Sequence, residues 1–86
     1  MQDSFFFFKI LPNQLGVIRV GMGIPVRLVP SAVDRVATRR RMAQEIEPVV
    51  KDAAVGYDIV IMVRKHRGEQ PPGQLRRTFE KIISQS

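Results

Sequence analysis

One stretch of the chain, residues 57–63 (YDIVIMV), is almost continuously apolar and rich in β-branched side chains. A run of this length and composition is typical of a strand that is covered on both faces or nearly so. We therefore predict that residues 57–63 form the central strand of a sheet. A chain of 86 residues has room for one small core around such a strand, so residues 1–86 are predicted to form a single domain.

Two further segments have the pattern of strands. Residues 5–11 begin with four consecutive Phe and are followed by Pro12, whereas residues 17–24 place their larger apolar side chains at every second position. The connection at residues 12–16 contains Pro, Asn and Gly, which favour turns. This pattern predicts a hairpin in which the two strands are antiparallel neighbours. The Phe-rich strand also needs a cover, because a bare strand of this kind promotes aggregation.

A long helix is predicted to begin after Ser31, a good N-cap residue, with Asp34 in capping-box position three residues later. Pro48 should kink this helix or mark the start of a new one after Glu47, and Gly56 should end the helical region. A stripe of apolar residues at helical spacing is predicted to face the sheet: Val36, Ala43, Ile46 and Val50, with Val33 and Ala37 at its edge.

A second amphipathic helix is predicted from Gln74 onward, after a polar loop at residues 64–73. Four of its apolar residues, at spacings i, i+4, i+7 and i+8, share one face: Leu75, Phe79, Ile82 and Ile83. The complete order is β-β-α-β-α. It predicts an α/β fold of the α+β sandwich type, with a small sheet packed by two helices.

The composition excludes several classes of protein. The absence of Cys excludes disulfide scaffolds, thiol catalysis and thiolate metal sites, and the single His66 excludes a metal site made of several histidines. The apolar run at residues 5–11 is too short to cross a bilayer, and the N-terminus lacks the features of a signal peptide. We therefore predict a cytoplasmic protein with no membrane partner.

The charge balance favours a polyanionic partner. The chain has 14 Lys and Arg against 8 Asp and Glu, a net charge of +6, and ten of the cations are Arg, whose planar guanidinium suits phosphate oxygens. The densest cluster lies on the first predicted helix, where it is suited to binding several phosphates along a groove. The cluster consists of Arg35, Arg39, Arg40 and Arg41.

An alternative interpretation of this cluster is a solvated helix face whose arginines pair with Asp34, Glu45 and Glu47. Outside the helix, Arg19 and Arg27 are predicted to extend the phosphate-binding surface. The cations after the central strand, Arg64, Lys65 and Arg67, are candidates of the same second rank, and the alternative for all five is that they are simply solvated. The rings at residues 5–8 offer a further possibility, the stacking of unpaired bases, although at least two of them must belong to the core.

For catalysis the chain offers very little. His66 is a lone histidine in a basic loop and has no paired nucleophile. The acids Asp34, Asp52 and Asp58 are scattered, with no spacing that forms a metal site or a general acid and base pair. We therefore predict no catalytic residue and no metal or cofactor site in the chain itself.

Several segments together resemble the bacterial ribonuclease P protein component. They are Arg-Val-Gly at residues 19–21, Ala-Val-Asp-Arg at residues 32–35, the pair Arg39 and Arg40, and GYDIVIMVRK at residues 56–65. The family has an Arg-Val-Gly strand, an Ala-Val that leads into an Arg-Asn-Arg-x-Lys-Arg helix, and a Gly-x-Asp-Ile-Val-x-x-x-Arg strand before its last helix. The resemblance covers residues 17–84, in the family's order and at its spacing.

By this resemblance, Arg35 matches the first Arg of the basic motif, Arg39 its Lys and Arg40 its final Arg. The chain departs from the motif at Val36, which replaces Asn, and at Ala37, which replaces the second Arg. The polar centre of the motif is therefore absent. We expect a binding surface with fewer contacts than in the family.

Arg27 matches one Lys of the family's Ser-Lys-Lys segment, but Val26 and Leu28 replace its other two residues. The family also opens with a helix and a basic segment that have no counterpart before Phe5. Residues there help to hold the 5′ leader of precursor tRNA in the family. The expectation is that binding to the RNA scaffold is retained better than guidance of the substrate.

The resemblance implies a left-handed βαβ crossover, an exception to the usual right-handed rule. It also implies an RNA-binding subunit of ribonuclease P, an endoribonuclease that removes the 5′ leader from precursor tRNA. Catalysis would belong to an RNA subunit with Mg²⁺ bound by that RNA, and the partners would be the catalytic RNA and precursor tRNA. The alternatives are another basic RNA-binding module, such as a ribosome-associated protein, and a non-catalytic protein-interaction domain.

Overall fold

The computed structural model of the chain describes residues 5–65 and 71–85. It contains three strands and two helices in the predicted order β-β-α-β-α. Their bounds are β1 Phe6–Pro12, β2 Ile18–Gly23, α1 Ala32–Asp52, β3 Tyr57–Val63 and α2 Gln74–Gln85.

The strands form one sheet in the order β1-β3-β2, so the prediction that residues 57–63 form the central strand is confirmed. The predicted hairpin is wrong, because β1 and β2 are not neighbours. β1 pairs with β3 in antiparallel orientation, with Phe8 opposite Ile61, and β2 pairs with β3 in parallel, with Val20 opposite Ile59. The segment β2, α1 and β3 is therefore a βαβ unit with parallel strands.

The reason lies in the loop between β1 and β2, which crosses the N-terminal end of β3 instead of forming a tight turn. The backbone N–H of Asn13 donates to Gly56 O at 3.1 Å, and the N–H of Tyr57 donates to Val17 O at 3.3 Å. Both ends of the loop are thus bonded to the chain that enters β3. Gly56 is needed here, since a Cβ at this position would collide with the Asn13 side chain and the Gly16 backbone.

The core lies on one face of the sheet, between the sheet and the two helices. Alternation along the strands places Phe6 and Phe8 of β1 on this inner face, which meets the prediction that the Phe-rich strand is covered. The other buried apolar residues of the cluster include Ile59, Ile61 and Val63 of β3, Met42 and Ile46 of α1, and Leu75, Phe79 and Ile82 of α2. The predicted apolar face of α2 is therefore confirmed.

The outer face of the sheet carries exposed apolar side chains. Phe7, Val60 and Met62 retain between 37% and 42% of their accessible surface. The prediction that the central strand is covered on both faces is therefore wrong. Both helices pack against the inner face, and in the described ranges no other element lies over the outer one.

The buried side of α1 differs from the predicted stripe. Thr38, Met42 and Ile46 are buried at successive turns, whereas Val36 is 49% exposed and Val33 is 77% exposed. The helix is rotated so that the long side chain of Met42, and not the short one of Ala43, enters the core. The prediction is correct for Ile46 and for the partly buried Val50, and wrong for Val33, Val36 and Ala43.

Pro48 lies inside α1, which continues through it as one helix. The predicted restart at this residue is therefore wrong. The helix ends at Asp52, with Ala53 as its C-cap, so it stops before Gly56. Among the described residues, neither helix is long and apolar enough to cross a membrane.

Candidate nucleic-acid interface

The start of α1 fixes the orientation of the basic cluster. Ser31 is the N-cap, as predicted, and its Oγ accepts a hydrogen bond from the backbone N–H of Asp34 at 3.3 Å. The backbone N–H of Arg35 donates to Ser31 O at 2.9 Å and begins the helical pattern. The Asp34 carboxylate also lies in the first turn, where it interacts favourably with the helix dipole.

Three arginines of the cluster, Arg39, Arg40 and Arg41, are exposed on α1. Their consecutive positions make them project about 100° apart, so they sample different directions around the helix. Within the part of the chain that the structure describes, the ion pairs do not include any of the three. Their guanidinium groups are therefore available to an external anion.

The acids that the alternative interpretation paired with these arginines have other contacts. Glu47 Oε1 pairs with Lys51 Nζ at 2.9 Å, and Glu45 Oε2 accepts a hydrogen bond from the backbone N–H of Arg76 at 2.9 Å. The Lys51 ammonium has a raised pKa because of its hydrogen bond with Glu47. Among the described residues, neither Glu45 nor Glu47 forms an ion pair with Arg39, Arg40 or Arg41.

Arg35 differs from the other members of the cluster. It lies on the buried side of α1, one turn before Thr38, and is only partly exposed. Its Nη1 donates to the carbonyl oxygens of Val29 at 3.0 Å and Pro30 at 2.8 Å. The guanidinium group is therefore already bonded to the segment that precedes the helix.

Arg27 is exposed on a turn just before α1. The Pro25 carbonyl oxygen accepts hydrogen bonds from the N–H groups of Leu28 at 3.0 Å and Val29 at 3.1 Å, and the Val29 side chain is buried in the core. This turn lies at the same end of α1 as Arg35. The structure thus places Arg27 beside the N-terminal end of the basic helix.

Arg19 lies on the outer face of the sheet, away from the α1 cluster. Its Nε and Nη2 donate to the two carboxylate oxygens of Asp58 at 2.8 and 2.7 Å, and the Asn13 amide donates to Asp58 Oδ1 at 2.9 Å. The hydrogen bond from Arg19, followed by that from Asn13, lowers the pKa of Asp58 to about 2. The structure therefore does not bring Arg19 together with Arg39 and Arg40.

The loop cations after β3 are placed only in part. Arg64 and Lys65 are exposed, and Lys65 Nζ lies 5.4 Å from the centroid of the Phe5 ring. The backbone N–H of Arg64 donates to Phe5 O at 2.8 Å, which ties this end of β3 to the start of β1. His66 and Arg67 fall outside the described residues.

Lys9 lies on the outer face of the sheet and was not among the residues predicted to bind phosphate. It is opposite Val60 in the register, between Phe7 and Leu11 of the same strand face. Together with Arg19 and the exposed ring of Phe7, it gives this face both positive charge and apolar surface. The period of two in residues 5–11, which separates Phe7 and Lys9 from Phe6 and Phe8, contains this signal.

Two clefts in the described region are lined by side chains that form no catalytic arrangement. A cleft of about 290 Å³ between α1 and β2 is mostly apolar, and its carboxylate, Glu47, is paired with Lys51. A groove of about 280 Å³ between the end of α1 and α2 contains Asp52 and the ion pair of Arg76 with Glu80. In residues 5–65 and 71–85, no three His, Cys, Asp or Glu side chains are close enough to hold a metal ion.

The fold and the exposed arginines of α1 define a small basic α+β protein. The family model for Ribonuclease P matches residues 1–86. The chain belongs to the ribonuclease P protein family, as the resemblance of its motifs predicted.

A curated relative agrees with this assignment, and two solved structures share the fold. The chain is 34% identical over 70 residues to the ribonuclease P protein component of Ectopseudomonas mendocina (strain ymp). The matched stretch covers 81% of this chain and 52% of the relative, so the chain spans about half the length of that protein.

The structure of the Staphylococcus aureus RNase P protein matches with a TM-score of 0.73 at 19% identity, over 98% of this chain and 76% of that one. The RNase P protein of Thermotoga maritima, solved in complex with 1-(4-fluorophenyl)-2-thiourea, matches with a TM-score of 0.66 at 22% identity, over 94% and 67%. At these identities the two structures support the fold alone. The predicted fold class is confirmed.

Proposed function

We propose that this chain is an RNA-binding protein subunit of ribonuclease P and assists the RNA-catalysed removal of the 5′ leader from precursor tRNA. The observation that carries the proposal is the exposed set Arg39, Arg40 and Arg41 on α1, which forms no ion pair within the described residues, in a chain of this family. Ribonuclease P is an endoribonuclease, so the chain would act in tRNA processing as part of a ribonucleoprotein, in the cytoplasm.

The proposed role of the arginines is electrostatic. Folding an RNA and placing a tRNA against it brings phosphate groups close together, which is unfavourable unless cations lie between them. Guanidinium groups on α1 supply fixed positive charge at such a place, and each one that contacts a phosphate releases bound counterions. Arg27 would add a contact next to the start of the helix.

We assign the Mg²⁺ of the reaction to the RNA partner. The described residues contain no group of three acidic or histidine side chains that fits a metal ion. Mg²⁺ is typically held by one or two carboxylates together with phosphate oxygens, which an RNA supplies in excess. The chain would therefore contribute binding and charge screening, and the proposed holoenzyme would contain a catalytic RNA subunit, Mg²⁺ and precursor tRNA.

The test is to pass total RNA of Ectopseudomonas mendocina over the immobilised chain and to sequence the RNA that stays bound. The proposal expects enrichment of the ribonuclease P RNA over ribosomal RNA. The matched controls are R39A/R40A, which should lose this enrichment, and R76A/R77A, which removes the same charge from α2 and should keep it. Enrichment of ribosomal RNA, or retention of no RNA, would contradict the proposal.

A further inference from the structure

Both helices of the fold begin with the same contact. Arg35 Nη1 donates to Pro30 O at 2.8 Å, and Arg77 Nη1 donates to Pro72 O at 2.9 Å. Each arginine is the fourth residue of its helix and lies five residues after the proline. The repeated geometry is that of a clamp, in which an arginine holds the segment that leads into its helix.

The clamp at α1 has a second hydrogen bond. Arg35 Nη1 also donates to Val29 O at 3.0 Å, and the residue is partly buried, unlike the exposed Arg39 next along the same side of the helix. Both hydrogen bonds come from Nη1, so they hold the guanidinium against the leading segment by one of its three nitrogens. Turning the side chain away would leave the partly buried carbonyl group of Val29 without this partner, which is costly, so the side chain is expected to stay in place.

The clamp holds the turn that contains Arg27. Val29 is anchored in the core by its side chain and to Arg35 by its carbonyl group, and Pro25 O accepts the N–H groups of Leu28 and Val29. Arg27 lies between these fixed points and is exposed. The hydrogen bond from Arg35 thus adds a fixed point between this turn and the start of α1.

We propose that Arg35 is a positioning residue for RNA binding, which orients the turn of Arg27 beside α1 and acts through that turn. This inference rests on the proposed function and deepens it, because it divides the basic cluster into residues that contact RNA and one that acts through a neighbour. It also revises the prediction from the sequence, which treated Arg35 as an equal member of the cluster.

The test is a double-mutant cycle with R27A, R35A and R27A/R35A, read as the affinity for the ribonuclease P RNA of Ectopseudomonas mendocina at several salt concentrations. Each single variant should bind about five- to tenfold more weakly at 0.1 M salt and lower the salt slope by about 0.7 to 0.9, the contribution of one phosphate. The double variant should be no weaker than R27A. By contrast, the losses of R35A and R39A should multiply in R35A/R39A, since Arg39 is proposed to make its own contact.

Two further variants separate positioning from loss of folding. R77A removes the equivalent clamp from α2 and should lower the melting temperature as R35A does, while RNA binding stays as in the wild type. R35K keeps the charge on a shorter side chain, which does not place a donor at the position of Nη1, so its affinity should be closer to that of R35A than to the wild type.

The inference is overturned if the losses of R27A and R35A multiply in the double variant, if R35A binds as the wild type does, or if R35K restores affinity fully. Failure of the wild-type chain to bind this RNA would overturn the proposed function instead. Because R35K carries the same test, the proposal stays open to contradiction even if R35A does not fold.

Discussion

The carboxylate of Glu45 in α1 accepts a hydrogen bond at 2.9 Å from the backbone N–H of Arg76 in the first turn of α2. The residue before α2 is Gly73, which has no side chain to cap the helix. Glu45 therefore supplies, from the other helix, the acceptor that an N-cap side chain normally provides. Its negative charge also lies at the positive end of the α2 dipole.

Replacing Glu45 should weaken the docking of the two helices. We expect E45A to lower the free energy of unfolding by about 1 kcal/mol, as the loss of a helix cap does, with a smaller effect for E45Q. Urea denaturation measures this. The matched control is E47A, which breaks an exposed ion pair with Lys51 and should change stability by less than about 0.5 kcal/mol. Equal effects of E45A and E47A would show that the cap has no energetic role.

RNA binding should depend on where positive charge lies and not only on its amount. R39A/R40A should weaken binding of the ribonuclease P RNA and lower the slope of log affinity against log salt by about 0.7 to 0.9 for each phosphate that the variant no longer neutralises. R76A/R77A removes two charges that have partners within α2 and its leading segment, Glu80 and Pro72 O, and should change the slope little. Equal effects of the two double variants would indicate diffuse charge. A flat dependence of log affinity on log salt in the wild type would contradict electrostatic binding altogether.

Restoring the family's polar residues in the basic motif should strengthen RNA binding at little cost in stability. Val36 is 49% exposed, so V36N removes little buried apolar surface, and A37R adds a cation one turn before Arg41. We expect V36N/A37R to bind the RNA more tightly and to unfold within about 0.5 kcal/mol of the wild type, as surface substitutions do. V33N is the control for a polar change at a more exposed valine. A much larger loss of stability in V36N/A37R would show that Val36 contributes to the core.

The ion pair of Arg19 with Asp58 should make stability fall in acid. The ordinary pKa of this carboxyl is 3.8, and the bonds from Arg19 and Asn13 lower it to about 2 in the folded protein. The contribution of this ion pair to the free energy of unfolding is therefore complete above about pH 4 and is lost as the pH falls from there through about 2. Unfolding measured between pH 5 and pH 2 should show this loss in the wild type and a smaller one in both R19Q and D58N. An unchanged pH dependence in D58N would exclude this pair as its source.

The chain alone should not cleave RNA, and it should assist an RNA that does. Purified protein should leave precursor tRNA intact in Mg²⁺. Added to the ribonuclease P RNA of Ectopseudomonas mendocina, it should lower the Mg²⁺ concentration needed for cleavage, because arginines replace part of the counterion screening. Product yield against Mg²⁺ measures the shift, with R39A/R40A as the control that should lose it. Cleavage that copurifies with the protein and disappears in H66A would place the chemistry on this chain.

The sequence predicted the type and order of every element because periodicity is local. It could not predict which strands pair, since β1 meets β3 across about 50 residues and the deciding contacts, from Asn13 and Val17 to residues 56 and 57, belong to a loop. The buried face of α1 differs from the predicted apolar stripe for a related reason. Val36 and Met42 are both apolar, and only the position of the sheet decides which of them is buried.

For the candidate site, the sequence predicted where the basic cluster lies but not the contacts of its individual arginines. The location of the basic cluster follows from spacing on one helix, whereas the acid that pairs with Arg19 lies 39 residues further along the chain. The contact of Arg35 with Val29 and Pro30 depends on a turn whose shape the sequence pattern does not specify. Side chains that bond to the backbone of irregular segments are thus the ones that sequence analysis assigned least well.

The strand order β1-β3-β2 has a consequence for folding during synthesis on the ribosome. During synthesis, β1 and β2 leave the ribosome first, but neither has a neighbour until residues 57–63 of β3 emerge. The nascent chain therefore cannot form its sheet by adding one strand after another. Its Phe-rich segment stays unpaired and exposed while more than half of the chain is synthesised. The sheet therefore forms only after β3 has emerged, and the inner side of this segment, with Phe6 and Phe8, is fully covered only when α2 has followed β3.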